Sequence, residues 1–173
     1  HALNVHAGHD DYHAVDDAGF FQLFGKNVQE SADLTLIAHR IAELSLNPGI
    51  SAQDGFLTSH VIEDVRLPEP DLIREYLGDP SDMIECPTPA QEILFGPARR
   101  RIPDWFSPDL PVLQGAACGA HPRALAEAAG GVYFEEHVAA LAVRALDEYA
   151  APTGRRLAPA SGRHPRRRVS RPR

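Results

Sequence analysis

The sequence predicts an α/β fold, in which an incomplete doubly wound parallel sheet is followed by a proline-rich excursion and a C-terminal helix. Short apolar runs flank a stretch of helical period within residues 1–62, which is the strand–helix–strand pattern of parallel sheets. Prolines interrupt every long period in residues 63–116, and an amphipathic stretch lies near the end. A chain of 173 residues, 43% of them hydrophobic, is long enough for one domain with its own core.

Three short strands are predicted in the first 62 residues. Each is an apolar run bounded by glycine or loop residues, as expected of buried strands. The predicted strands are Leu3–Ala7, Phe20–Phe24 and Ile50–Gln53. The polar stretch Asp10–Ala18 between the first two predicts a short helix or turn.

A longer helix is predicted from Val28 to Leu46. Asn27 followed by Glu30 resembles a capping box, and Asn47-Pro48-Gly49 ends the helix. Its apolar face should pack on the sheet, with the charged face outside. The residues expected inside are Leu36, Ile37 and Ile41, and those expected outside are Arg40 and Glu43.

The later regions differ from the first 62 residues. Within 63–116 only Asp71–Leu77 has the pattern of a brief helix, so we expect an excursion over a surface rather than a second core. From Tyr133 to Tyr149, apolar residues recur at helical spacing and predict one amphipathic helix.

Charge is distributed very unevenly. Residues 154–173 hold eight arginines and no acidic residue, so the first 153 residues carry a formal charge of −15. Such an acidic body repels nucleic acid and anionic membranes, and neither is an expected partner. The tail, residues 156–173, is open to three interpretations: a nucleic-acid-binding arm, a disordered end, or translation outside the native frame. We expect it to be disordered.

The remaining composition points to a cytoplasmic protein. No run approaches 18 apolar residues, and the first residues lack the basic and apolar regions of a signal peptide. Cys86 and Cys118 are too few and too far apart for a C-x-x-C metal or cluster site.

His6, His9 and His13 form the densest group of possible metal ligands. His9 and His13 are four residues apart, as two zinc ligands are on a helix, and they predict a metal-dependent hydrolase as an alternative function. The Glu of the H-E-x-x-H motif is absent. The simpler interpretation is therefore a polar loop at a strand end.

Two other groups have a structural and a functional interpretation. Ser59 and His60 are adjacent but lack a nucleophile elbow, so Asp54 and Thr58 are expected to fix a turn and cap a following helix. Arg99–Arg101 precede two aromatic residues, which is compatible with nucleic-acid binding, although flanking prolines favour a solvated loop. His39 is expected to be a packing residue.

Residues 1–62 resemble the first, thiamine-site domain of the pyruvate:ferredoxin (2-oxoacid:acceptor) oxidoreductases. The matching stretches occur in the family's order and without gaps. They are His1-Ala2-Leu3, the His9/Asp11 loop, Gly19-Phe20, Val28-Gln29-Glu30, Asp33-Leu34, Ala38-His39, Asp54-Gly55-Phe56 and Thr58-Ser59-His60. The resemblance continues loosely to the helix ending at Gly154 and stops after Arg156. Asp16 departs from the pattern, because the family has a non-catalytic arginine there.

The resemblance implies thiamine diphosphate chemistry that this stretch does not complete. The family decarboxylates a 2-oxoacid, here expected to be pyruvate, passes electrons through 4Fe-4S clusters to ferredoxin and transfers the acyl group to coenzyme A. Its pyrimidine-site glutamate, a threonine and a substrate-binding arginine lie upstream of His1. Other domains hold the diphosphate, its magnesium and the clusters.

The resemblance also implies a division of the chain. Residues 1–155 correspond to the C-terminal part of the thiamine pyrimidine-binding domain, and 156–173 to the tail. No residue is expected to be catalytic, no cofactor is expected to bind this chain alone, and the isolated chain should be inactive. The residues expected to line the site are Leu3, Val5, His9 and Asp11. The expected partners are the other domains or subunits of the oxidoreductase. A non-catalytic interaction module remains the second alternative.

Overall fold

A computed structural model describes residues 8–103 and 130–157 of the chain. The predicted strand Leu3–Ala7 and most of the basic tail lie outside these ranges. The described strands are β1 (Phe21–Gly25), β2 (Gly49–Gln53), β3 (Met83–Glu85) and β4 (Ala98–Arg100). The helices are α1 (Asp10–His13), α2 (Val28–Ser45), α3 (Pro70–Leu77), α4 (Pro89–Phe95) and α5 (Ala139–Thr153), the last preceded by a π-helical segment, Tyr133–Val138.

Strands β1 and β2 form a parallel pair joined by α2, as predicted. Phe21 pairs with Gly49 and Gly25 with Gln53. The pairing requires glycine at position 49, because a Cβ atom there would lie 2.0 Å from the Phe21 ring. The result is a mixed α/β fold with a small parallel sheet.

Helix α2 packs on this sheet and contributes Leu34, Ile37, Ile41 and Leu44 to the core. The Asn27 side chain accepts a hydrogen bond from the Glu30 amide at 2.8 Å, which confirms the predicted cap. Ile37 and Ile41 are fully buried, also as predicted. The expected exposure of Arg40 is wrong, since its guanidinium contacts Glu148 and lies over the Tyr76 ring.

Glu43 is also less exposed than its place in the pattern suggests. One of its carboxylate oxygens is buried, and burial raises the pKa of this carboxyl although nearby cations, Arg101 foremost, oppose the shift. Helices α3 and α5 pack against α2 where Arg40 contacts Leu77 and Glu148, so the helix has contacts on more than its sheet-facing side. The prediction treated that side as solvent.

The proline-rich excursion is more ordered than predicted. Besides α3 it contains α4 and an antiparallel pair, β3–β4. Pro70 and Pro89 begin helices rather than break them, because the first turn of a helix needs no amide hydrogen from that residue. Thr88 caps α4 by accepting a hydrogen bond from the Gln91 amide.

The C-terminal helix closes the core on the other side of α2. Val138, Leu141, Ala145 and Tyr149 are its buried residues, which confirms the predicted amphipathic period. Leu157 packs against the same core after the helix has ended at Gly154. Within the described part of the chain, no helix is both long enough and apolar enough to cross a membrane.

Candidate functional site

The carboxyl ends of β1 and β2 meet at one edge of the parallel sheet, which is where α/β folds commonly bind ligands. Asp54 follows β2 at this edge. His9 folds over it from the start of α1, and its Nε2 lies 2.5 Å from Oδ1 of Asp54. The Phe24 ring packs edge-on against the imidazole at a centroid distance of 4.8 Å. The fold thus brings together two polar residues that are 45 positions apart.

Backbone strain is concentrated at the same edge. His9 has φ 55° and Phe56 has φ 62°, left-handed values that side chains rarely adopt. Both residues belong to loops that cross the carboxyl edge. The third such residue outside glycine, Leu46, caps the C-terminus of α2 and has an ordinary structural explanation.

Of the predicted site-lining residues, the structure brings His9 to the edge but leaves Asp11 aside. Asp11 is exposed, and its carboxylate accepts a local hydrogen bond from the Tyr12 amide at 2.8 Å. Leu3 and Val5 lie outside the described residues. Tyr12, which sequence reasoning missed, packs edge-on against Phe24; burial, with a smaller contribution from Asp16, raises the pKa of its phenol.

The predicted histidine cluster does not form among the described residues. His9 binds Asp54, whereas Nδ1 of His13 contacts Asp16 at 3.1 Å. His9 is the residue before α1 and has left-handed backbone, so it does not share a helix face with His13. No group of three possible metal ligands occurs in residues 8–103 and 130–157, and His6 lies outside them. The interpretation as a metal centre was therefore wrong for these two histidines.

Ser59 and His60 do contact each other, at 2.8 Å between Oγ and Nδ1. The His60 ring stacks on Phe56, and both Ser59 and His60 are exposed. No carboxylate within the described residues contacts His60, so the orienting member of a hydrolytic triad is missing there. The expected helix cap at Thr58 is wrong, because turns and extended chain follow it as far as α3.

Two of the three arginines in the run, Arg99 and Arg101, are buried, whereas Arg100 is exposed. Arg99 is 3% exposed, and its guanidinium donates to the carbonyls of Glu43 and Leu44 at the C-terminus of α2. A cation at this position complements the helix dipole. Arg99 and Arg101 therefore do not belong to a solvated basic patch, which weakens the support for nucleic-acid recognition. His39, expected to pack, is exposed.

A buried ionic network, not foreseen from the sequence, joins α2 to the end of α5. The Asp33 carboxylate, 1% exposed, accepts hydrogen bonds from Tyr149 Oη at 2.6 Å and from Arg155 Nε and Nη2 at 2.9 Å. Gln29 adds another at 3.1 Å. Burial, followed by the hydrogen bond to Asp33, raises the pKa of Tyr149 to about 12. The Asp33 carboxylate at the centre of this network is shielded from solvent.

Residues 1–109 match the family model described as "Pyruvate flavodoxin/ferredoxin oxidoreductase, thiamine diP-bdg". The matched region contains the parallel sheet, α2 and the whole carboxyl edge described above.

Curated relatives carry related names. The chain is 32% identical over 97 residues to the pyruvate synthase subunit PorA of Thermotoga maritima, covering 55% of this chain and 25% of that protein. It is 31% identical over 106 residues to the PorA of Methanocaldococcus jannaschii, covering 60% and 27%. It is 31% identical over 117 residues to the pyruvate-flavodoxin oxidoreductase of a Nostoc species, covering 68% and 8%. The chain thus spans about a quarter or less of these relatives' lengths.

Proposed function

Because the chain belongs to the family of thiamine diphosphate-binding domains of pyruvate flavodoxin/ferredoxin oxidoreductases, we propose that it supplies part of the thiamine-site domain of a 2-oxoacid:ferredoxin oxidoreductase. Pyruvate is the substrate named for its relatives and is the one proposed here. The family match over residues 1–109 is the observation that carries the proposal. The complete enzyme is proposed to work in the cytoplasm, with ferredoxin as electron acceptor and coenzyme A as acyl acceptor.

The architecture supports a role as one part of a larger domain. Within residues 8–103 and 130–157, β1 and β2 pair only with each other. Unpaired strand sides of this kind recruit further strands. We propose that the rest of the enzyme's thiamine-site domain completes a doubly wound sheet, whose carboxyl edge then forms one wall of the thiamine site.

The possible metal ligands among the described residues do not fit the magnesium or the 4Fe-4S clusters of the family. A magnesium–diphosphate needs several convergent oxygen ligands, and a 4Fe-4S cluster needs four cysteines. No group of three possible ligands occurs in the described ranges, where Cys86 is buried and free. We propose that other domains hold the magnesium and the clusters. For thiamine diphosphate, we propose that this chain contributes one wall of the binding site and that the activating glutamate lies elsewhere in the enzyme.

An exposed apolar segment supports assembly with other parts of the enzyme. After β2 the chain presents large hydrophobic side chains to solvent within twelve residues. They are Phe56, Leu57, Val61, Ile62 and Leu67. A cluster of this kind on a soluble domain usually marks an interaction surface. The proposed partners are the remaining domains or subunits of the oxidoreductase, in line with the relatives' description as subunits.

The proposal is tested by pyruvate-dependent reduction of a viologen dye. The polypeptide extended to the full length of its relatives, together with its partner subunits, should reduce the dye in the presence of coenzyme A. The 173-residue chain alone should not reduce it, and calorimetry should show no thiamine diphosphate binding. Dye reduction by the isolated chain would refute the assignment of the catalytic groups to other domains.

A further inference from the structure

The carboxyl edge holds a histidine with one ring nitrogen still free. Asp54 binds Nε2 of His9, and within residues 8–103 and 130–157 its Nδ1 has no hydrogen-bond partner. Phe24 packs against the ring and limits its rotation. The His9 side chain is 43% exposed, so a ligand can reach it. When a carboxylate accepts the Nε2 proton, the tautomer is fixed and Nδ1 is left to bind something else.

Among the described residues, the charged side chains nearest to His9 are acidic. Asp54 contacts the imidazole from the end of β2, Asp10 and Asp11 are on its own helix, and the contact from β1 is the uncharged Phe24. Lys26 at the same edge is already paired with Glu30, at 2.6 Å. An anion binding at this acidic edge therefore needs a further cation. A His9 protonated on Nδ1 provides one.

The backbone geometry supports a functional interpretation of this pair. His9 has φ 55° at the residue immediately before α1. Left-handed backbone in a residue with a side chain costs free energy and often occurs at ligand sites. At this position the His9 ring contacts Asp54 and Phe24.

We propose that His9 and Asp54 form an orienting pair for the 2-oxoacid substrate. Asp54 is the positioning residue: it accepts a hydrogen bond from Nε2 and sets the direction of the ring. Nδ1 of the protonated imidazole then donates a hydrogen bond to the substrate carboxylate, in addition to the arginine that the family places upstream. This inference rests on the proposed function, because it takes the carboxyl edge as a wall of the substrate site.

The test uses the assembled enzyme, that is, the full-length polypeptide with its partner subunits. Dye reduction is measured against pyruvate concentration at one fixed pH. His9→Gln should raise KM about tenfold, which corresponds to losing a hydrogen bond between charged groups. Its kcat should stay within about twofold of wild type, because a lost binding contact affects KM first.

Two further variants separate orientation from general damage. Asp54→Asn should raise KM by a smaller factor than His9→Gln, because the imidazole stays in place but loses its anionic partner. His39→Gln, on the exposed side of α2, should leave KM at the wild-type value. If His9→Gln lowers the melting temperature or kcat and leaves KM unchanged, the pair is structural and the inference is wrong. If the wild-type assembly reduces no dye with any 2-oxoacid, the proposed function fails instead.

Discussion

Two aspartates of this protein each pair with a nitrogen-bearing side chain, Asp33 with Arg155 and Asp54 with His9. The two pairs have very different surroundings. Asp33 lies in the interior, where Tyr149, Gln29 and Arg155 satisfy its oxygens. Asp54 lies at the carboxyl edge of the sheet, where one histidine binds it and solvent reaches both side chains. The interior pair has no remaining capacity for a ligand, whereas the edge pair leaves a ring nitrogen free. Burial therefore separates a carboxylate that holds the fold together from one that can serve a site.

Asp33→Ala is expected to lower the free energy of unfolding more than any other change that tests this comparison. Removing one member of a buried ion pair leaves the other uncompensated, and the expected loss is about 3–5 kcal/mol in the free energy of unfolding. Urea unfolding of the purified chain measures it. A loss below about 1 kcal/mol would mean that Arg155 finds solvent easily and that the network contributes little.

Tyr149→Phe should have a smaller effect, a loss of about 1–3 kcal/mol in the free energy of unfolding, because Asp33 keeps its other donors while losing one buried hydrogen bond.

Tyr149→Phe should also change how the free energy of unfolding responds to alkaline pH. Burial and the hydrogen bond to Asp33 raise the folded-state pKa of Tyr149 to about 12 from its ordinary value of 10.0. Its contribution to stability is therefore present below pH 10 and lost as pH rises toward 12. Unfolding free energies across this window should fall less steeply in Tyr149→Phe than in wild type.

The edge pair should contribute much less to folding. Asp54→Ala is expected to change the free energy of unfolding by no more than about 1 kcal/mol, because the His9 side chain is 43% exposed and solvent screens the pair. Thermal melts of Asp54→Ala and Asp33→Ala, recorded in the same buffer, compare the two sites directly. Equal destabilisation by both substitutions would remove the distinction drawn here.

The smallest effect is expected from removing the basic tail. Truncation after Leu157 keeps Arg155 on Asp33 and Leu157 on the core. We expect no change in melting temperature within error, because the removed residues offer almost no apolar surface to offset their ordering entropy. Slowly exchanging amides between Arg166 and Ser170 in the full chain would contradict this expectation.

The sequence predicted the elements whose signals are local. The period of α2, its cap at Asn27 and the parallel pairing of β1 with β2 all follow from neighbouring residues, and the structure confirms them. The β3–β4 pair and α4 were missed because proline was interpreted only as a breaker. Pro89 in fact occupies the first turn of α4, where it is favoured.

The candidate site was only partly predictable, because its contacts join residues that are far apart in the sequence. His9 and Asp54 were each noticed, one as a site-lining residue and one as a turn residue, but their contact depends on a tertiary fold that brings distant loops together. Arg155 was assigned to the end of the domain, and its pairing with Asp33 spans 122 positions. A single sequence carries no signal for such pairs. The alternation of elements did predict that β1 and β2 are parallel.

Pyruvate-dependent dye reduction by the assembled full-length enzyme, compared with the isolated 173-residue chain, tests the central claim most directly. The proposed function predicts reduction that depends on pyruvate, coenzyme A and thiamine diphosphate in the assembly, and none in the isolated chain. An assembly that contains this chain, binds thiamine diphosphate and still oxidises no 2-oxoacid would contradict the claim.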